Sequence, residues 1–208
     1  FVFEPNPDHN TSQLATEAAY QRMGWRYKYL PAGVSDHDGV IDFYRNPAAG
    51  GAAKSWYGFS ATRTKTKRLR DINPAIRVPV IDFTRWFQDH ILERRVPGRK
   101  DARAGGPKVM IKMDIEGMEI PVLLRMLVTG AACRVDATIM EMHDPAEDVP
   151  LRTNASIPRG KSMWYFNAMN RLLKDGGCHS WRLLDSEEYL MDGRPLPQLW
   201  DKAPSGTA

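Results

Sequence analysis

The chain has 208 residues, 42% of them hydrophobic, and a formal net charge of +4 at pH 7. This length and apolar content are enough to bury a core, which excludes a chain that is disordered throughout. The small charge excludes the clustered basicity of a dedicated nucleic-acid binder, so no nucleic acid is expected as a partner. No apolar run reaches the roughly 20 residues of a membrane-spanning helix, so no membrane segment is expected.

The first half of the chain alternates between strand and helix patterns. An apolar run at 1–3 predicts a strand at 1–4, and because the chain opens on it without an initiating Met we expect the chain to be an excerpt of a longer one. Asn6 and Pro7 predict the start of a helix that reaches about Met23, since Asn is a good N-cap and proline suits the first helical position. Further strands are predicted at 27–34, 40–44 and 77–81, and a helix at 83–92.

The second half continues the alternation. Strands are predicted at 109–114, 135–142 and 179–184, and helices at 118–128 and 162–174. The pattern predicts an α/β fold with a mostly parallel sheet covered by helices on both faces. Residues 185–208 are rich in Pro and Gly and are expected to form an extended or disordered tail, so the domain is expected to span residues 1–184.

Two adjacent strand ends carry acidic and imidazole side chains. The run Lys112–Glu119 ends a strand on Asp114 and Glu116, and the next strand along the chain delivers Glu141 and His143. Ligands of parallel α/β sheets bind beyond the carboxyl ends of the strands. These side chains are therefore expected to gather in one site.

Glu4 closes an earlier strand and is expected at the same edge of the sheet. An acid at the end of the second strand of a nucleotide-binding α/β domain accepts hydrogen bonds from ribose hydroxyls. Glu4 fits that role, and the helix that starts at Asn6 lies beside it in the chain. The simpler alternative is a carboxylate that is favoured there only by the helix dipole.

These segments resemble the FkbM family of S-adenosylmethionine-dependent methyltransferases. Phe3–Pro7 is similar to the family's ribose-binding strand end, Ala32–Asp36 to its adenine-side segment, Lys112–Glu119 to its KIDVEGAE signature, and Glu141–His143 to the end of its fifth strand. The resemblance covers about residues 1–145 and implies a class I methyltransferase fold, which is Rossmann-like. It also implies S-adenosyl-L-methionine as cofactor, bound through Glu4, Asn6, Ala32, Val34 and Asp114. A related group of methyltransferase-like proteins of the secretory pathway shares the Asp-Ile-Glu-Gly core, so the subfamily stays open.

One part of the family pattern does not occur in these 208 residues. The first strand and glycine-rich turn of the family, of the form VDVGANxG, would lie between the strand that ends at Glu4 and the strand that ends at Asp114. Either the natural chain begins further upstream, which we favour, or the two neighbouring strands pair directly. Backbone groups left unpaired in a core cost about 1–3 kcal/mol each, so the chain as given is expected to bind cofactor weakly.

The resemblance implies transfer of a sulfonium methyl group to a hydroxyl of a sugar, lipid or other small molecule. His143 is the candidate base, because a neutral imidazole exchanges protons near neutral pH. Asp114 is expected to orient that base or the substrate hydroxyl, and Glu116 opens the following helix. Helix capping by the two acids and a surface position for His143 are the simpler alternatives.

Two other functions stay open. Asp114, Glu116, Glu141, His143 and Asp144 include enough ligands for a divalent-metal-dependent hydrolase. No metal is expected, however, because the chain lacks a compact motif such as HExxH. A catalytically inactive methyltransferase-like binding module is the other alternative, and the absent glycine-rich strand is its only support. The sequence indicates neither compartment nor oligomeric state.

Two further features have predicted roles outside this site. Cys133 and Cys178 lack the spacing of a zinc motif and are too few for a disulfide framework, so they are expected to be buried or unreactive thiols. A basic stretch at 63–70 either binds an anion or, as we favour, forms a solvated edge or loop.

Overall fold

The computed structural model describes residues 1–45, 59–60, 76–94, 108–144, 148–151, 155–178 and 181–184. Only the backbone is described at 45, 59–60, 150 and 181–184. The basic stretch at 63–70 and the predicted tail at 185–208 lie outside these residues. Within them, no helix is long and apolar enough to cross a membrane.

The elements follow the alternation that the sequence predicts. The strands are β1 (Val2–Phe3), β2 (Tyr29–Leu30), β3 (Gly33–Ser35), β4 (Gly39–Arg45), β5 (Phe59–Ser60), β6 (Ile76–Asp82), β7 (Met110–Met113), β8 (Ala137–Met140), β9 (Val149–Pro150), β10 (Ser156–Ile157) and β11 (Trp181–Leu184). The helices are α1 (Asn10–Arg22), preceded by a 3₁₀ turn at Pro7–His9; α2 (Phe83–Phe87), continued by a π-helical turn at Gln88–Leu92; α3 (Glu119–Val128), followed by a 3₁₀ turn at Ala131–Arg134; and α4 (Ser162–Asp175).

The strands form small sheets, and the pairing within two of them is entirely parallel. β7, β8 and β11 make a three-stranded parallel sheet with β8 in the centre, in which Met113 lies opposite Met140. β1 pairs in parallel with β2. β3, β6, β4 and β5 form a mixed sheet, and β9 and β10 form a short antiparallel pair that the sequence did not predict.

The α/β class is thus confirmed, but in the part of the chain that the structure describes the strands do not form the predicted single continuous sheet. Within the described ranges no ladder joins β1 to β7, so direct pairing of these two strands is not found there. The predicted strand at 27–34 is also divided. Pro31 has no N–H with which to continue the pairing of β2 with β1. After this residue the chain forms β3, which pairs with β6 instead.

One apolar cluster lies under the ends of several strands. Met113 and Met140 are fully buried at the ends of β7 and β8, and Val34 of β3 belongs to the same cluster. Phe3 of β1 packs against it, and α3 and α4 cover it with the side chains of Ile120, Val122, Met126, Phe166, Met169 and Leu173. The polar residues that follow these strands therefore begin at the border of a shared core.

The cysteines contradict the sequence-based expectation of free thiols. Cys133 lies in the 3₁₀ turn after α3 and Cys178 follows α4, and the two form a disulfide with their Cα atoms 5.0 Å apart. Packing of α3 against α4 brings them together across 45 residues of chain. A pairing that depends on helix packing has no local sequence signal, which is why the expectation was wrong.

Candidate active site

The segment after β7 is a tight turn stabilised by the first residue of α3. Glu116 has a φ of 54°, in the left-handed region that non-glycine residues rarely adopt, and Gly117 follows with a φ of 104°. The Glu119 carboxylate accepts hydrogen bonds from the backbone N–H groups of Ile115, at 3.2 Å, and Gly117, at 3.0 Å. These bonds fix the turn that presents Asp114 and Glu116.

Glu119 also binds the imidazole that follows β8. Oε1 of Glu119 lies 2.8 Å from Nδ1 of His143, and Glu119 is only 1% exposed. An ionised carboxylate only accepts hydrogen bonds, so the contact places a proton on Nδ1 and turns Nε2 toward the other side of the ring. One buried carboxylate thus joins the turn after β7 to the end of β8.

Three partly exposed carboxylates face Nε2 of His143. The nitrogen lies 3.4 Å from Oε1 of Glu141, 3.7 Å from Oε2 of Glu116 and 4.0 Å from Oδ1 of Asp114. We refer to Asp114, Glu116, Glu141 and His143 as the His143 cluster. The structure therefore brings together all three predicted catalytic residues, together with Glu141.

The surroundings shift the proton affinity of two members of the cluster. The hydrogen bond to Glu119 raises the pKa of His143 to about 9, against the opposing effect of burial, and the charges of Glu119, Glu116 and Asp114 add to the rise. Burial raises the pKa of Glu116, and the charge of His143 opposes that rise. The imidazole is therefore mainly protonated at neutral pH, which differs from the neutral ring on which the base role was predicted.

The same cluster has the donor set of a cation site. Asp114, Glu141 and His143 can each offer one ligand atom, and these atoms lie within 4.8 Å of one another. Carboxylate oxygen and imidazole nitrogen suit several divalent metals. The expectation that the chain has no metal site is thus open to test.

The predicted ribose-binding acid belongs to a second group of residues. Glu4 accepts a hydrogen bond from the backbone N–H of Asn6, at 2.7 Å, and its other oxygen lies 3.2 Å from Nδ1 of His9. Asn6 is buried and caps the 3₁₀ turn by accepting the N–H of Asp8 at 3.1 Å. The predicted N-cap is therefore confirmed, and it commits the Asn6 side-chain oxygen to the backbone.

Of the two predicted adenine-side residues, Ala32 lies beside Glu4 and Val34 does not. The N–H groups of Glu4 and Ala32 both donate to the carbonyl oxygen of Leu30, at 3.3 and 2.8 Å. Val34 is buried in the core and pairs with Ile81 of β6. Glu4, Asn6 and Ala32 thus form a local group, while Val34 contributes to the packing beneath the strand ends.

Sequence reasoning gave Glu119 no role. An acid in the first turn of a helix is ordinarily explained by the helix dipole, and its bond to His143 spans 24 residues. A usable signal does exist, because an acid early in a helix can reach back to backbone N–H groups before the helix. That signal predicts the bonds to the turn but not the contact with the imidazole.

Parallel strands with acids and an imidazole at adjacent carboxyl ends define an α/β protein with a candidate active site at that edge. A family model described as the methyltransferase FkbM domain matches residues 1–179. The chain therefore belongs to the FkbM methyltransferase family, as the resemblance of its motifs predicted. The search of curated proteins found no match to this chain, and neither did the search of solved structures.

Proposed function

We propose that this protein is an S-adenosylmethionine-dependent methyltransferase that methylates a hydroxyl group of a sugar, lipid or other small molecule. The observation that carries the proposal is the His143 cluster, in which one imidazole nitrogen faces three carboxylates at adjacent strand ends in a chain of this family. The cofactor supplies a methyl group activated by a positively charged sulfur. A site rich in carboxylates is electrostatically suited to such a cation.

The residues beside the strand end of β1 fit the nucleoside part of the cofactor. Glu4 is partly exposed, and each of its carboxylate oxygens can accept more than one hydrogen bond, as ribose hydroxyls require. Asn6 would act through the turn that it caps, because its own oxygen is engaged there. Ala32 and Val34 would lie on the adenine side, and Asp114 would face both cofactor and substrate.

His143 would remove the proton of the acceptor hydroxyl through Nε2. With a pKa of about 9, roughly one ring in a hundred is neutral at pH 7, so the base must first lose a proton. Placing nucleophile and methyl group in line supplies most of the rate, and a positioned base adds about 10²- to 10⁴-fold. Asp114 and Glu116 would orient the ring and the hydroxyl.

The direct test is a calorimetric titration of S-adenosylhomocysteine into the natural chain, with any residues that precede Phe1, and into its Glu4→Ala variant. We expect saturable binding to the protein and a loss of at least tenfold in affinity in the variant, because the ribose hydroxyls lose their acceptor. Glu93→Ala, which removes an exposed glutamate elsewhere, is the matched control and should bind like the parent. Equal affinity of Glu4→Ala and the parent would contradict the ribose role, and no binding at all would contradict the cofactor.

A divalent-metal-dependent hydrolase is the second candidate, because the ligand atoms of Asp114, Glu141 and His143 lie close enough to share one ion. Such an ion would activate a water molecule for attack on the substrate. This function gives no role to Glu4 and does not follow from the family. Thermal unfolding scans with Mn²⁺ and with S-adenosylhomocysteine separate the two candidates.

A further inference from the structure

We infer that Glu119 is a positioning residue that holds His143 with its Nε2 toward the acceptor hydroxyl. The inference deepens the proposed function and rests on it for the chemical role of the imidazole. It concerns a side chain that touches neither cofactor nor substrate in that proposal. Its effect on the acceptor hydroxyl passes through the His143 ring that its carboxylate holds.

The contacts of Glu119 indicate a role beyond helix capping. The carboxylate is 1% exposed, and a buried charge is costly unless it is fully hydrogen-bonded. Here it accepts bonds from the N–H groups of Ile115 and Gly117 and lies 2.8 Å from Nδ1 of His143. The two amides belong to the turn after β7 and the imidazole follows β8, so one side chain sets the relative position of both strand ends.

The contact with Nδ1 selects one form of the neutral ring. A neutral imidazole carries its proton on either Nδ1 or Nε2, and the other nitrogen holds the lone pair. Because the carboxylate requires a donor, it favours the proton on Nδ1, and the lone pair then lies on Nε2 beside the His143 cluster. With the proton on Nε2, the ring could not accept a proton from a hydroxyl at that position.

A comparison with the buried Glu17 separates positioning from burial. Glu17 is 9% exposed and also accepts a backbone hydrogen bond, from the N–H of Tyr29 at 3.3 Å. It also accepts hydrogen bonds from the side chains of Gln21 and Lys28. It is a matched buried glutamate whose loss should affect stability and leave His143 unchanged.

The experiment is nitrogen NMR of the His143 ring in the protein, Glu119→Gln, Glu119→Ala and Glu17→Gln. The spectra are recorded one pH unit above the His143 pKa of about 9, where the ring is mainly neutral. We expect the proton on Nδ1 in the parent and in Glu17→Gln. In Glu119→Ala the ratio of the Nδ1–H to the Nε2–H form should fall about tenfold or more, because a charge-assisted hydrogen bond is lost. In Glu119→Gln it should fall by less, because the amide oxygen is an uncharged and weaker acceptor for Nδ1–H.

Two variants at position 119 keep the test decisive. Glu119→Gln retains an oxygen for the amides of the turn, so it can fold even where Glu119→Ala does not. An unchanged ratio of the two ring forms in a folded Glu119 variant would overturn the inference. Titration of S-adenosylhomocysteine into the same variants keeps this outcome apart from the proposed function: a changed ring form in a protein that binds no cofactor would retain the positioning role and reject the methyltransferase.

Discussion

At the scale of single residues, the charge of the His143 imidazole depends strongly on the fold. Its pKa of about 9 arises first from the hydrogen bond to Glu119 and then from surrounding carboxylates, with burial acting in the opposite direction. The folded protein therefore holds a proton on this ring that the unfolded chain releases near pH 6.5, the ordinary value for histidine. A proton held more tightly by the folded state links its stability to pH.

The sign of this linkage gives a prediction. Because the folded pKa lies above the unfolded one, the stabilisation is fully present below about pH 6.5 and is lost as the pH rises through about 9. We expect the free energy of unfolding to fall across this interval in the parent and to fall less in His143→Gln. Urea denaturation at a series of pH values measures it, and identical pH slopes in the two proteins would contradict the assigned shift.

The residues of the site were predictable where the signal is local. Asp114, Glu116 and His143 follow apolar strands, and strand ends at one edge of a parallel sheet meet, so their neighbourhood could be inferred from the sequence. Glu119 could not be assigned, since its decisive contact spans 24 residues. The protonation of His143 was mispredicted for the same reason, because its largest cause is that contact.

At the scale of elements, features set by local sequence could be predicted, and features set by contacts between distant segments could not. Asn6 and Pro7 predicted the start of the first helix correctly, because a helix cap is formed by residues that are close in sequence. The division of the predicted strand at 27–34 depends on Pro31 and on the choice of a new partner for β3, which only tertiary structure determines. The disulfide between Cys133 and Cys178, which follow α3 and α4, also depends on tertiary structure and could not be predicted.

The disulfide gives a prediction at this scale. Cys133 and Cys178 close a loop across 45 residues, and cross-links of this length stabilise proteins by about 2–4 kcal/mol, mainly by constraining the unfolded chain. We expect dithiothreitol to lower the free energy of unfolding of the parent by this amount. It should have no effect on Cys133→Ser/Cys178→Ser, which should match the reduced parent. A parent that is insensitive to reductant and contains two titratable thiols would show that the bond does not form in solution.

At the scale of the whole molecule, the arrangement of sheets was the least predictable feature. Local patterns predicted most strands to within a few residues, but the order in which strands pair depends on contacts between distant segments. The described residues contain small sheets that border one large apolar cluster, and the mixed sheet also has a smaller cluster of its own, formed by Phe43, Val78 and Val80. Polar residues that follow several of these strands lie at the border of the large cluster, and identifying the ligand that they bind would test the proposed function.

Ligand binding gives the last prediction, because a ligand that binds only the folded state raises the stability of the entire chain. The gain is about 2.7 kcal/mol at a hundred times the Kd, or a Tm rise of roughly 5–10 °C for a domain of this size. For a methyltransferase, S-adenosylhomocysteine should produce this rise in a thermal unfolding scan, and EDTA should leave the Tm unchanged. For a metal hydrolase, Mn²⁺ should produce the rise instead, and Glu141→Gln should lose it. Stabilisation by Mn²⁺ that depends on Glu141, with none by S-adenosylhomocysteine, would replace the proposed function with the hydrolase.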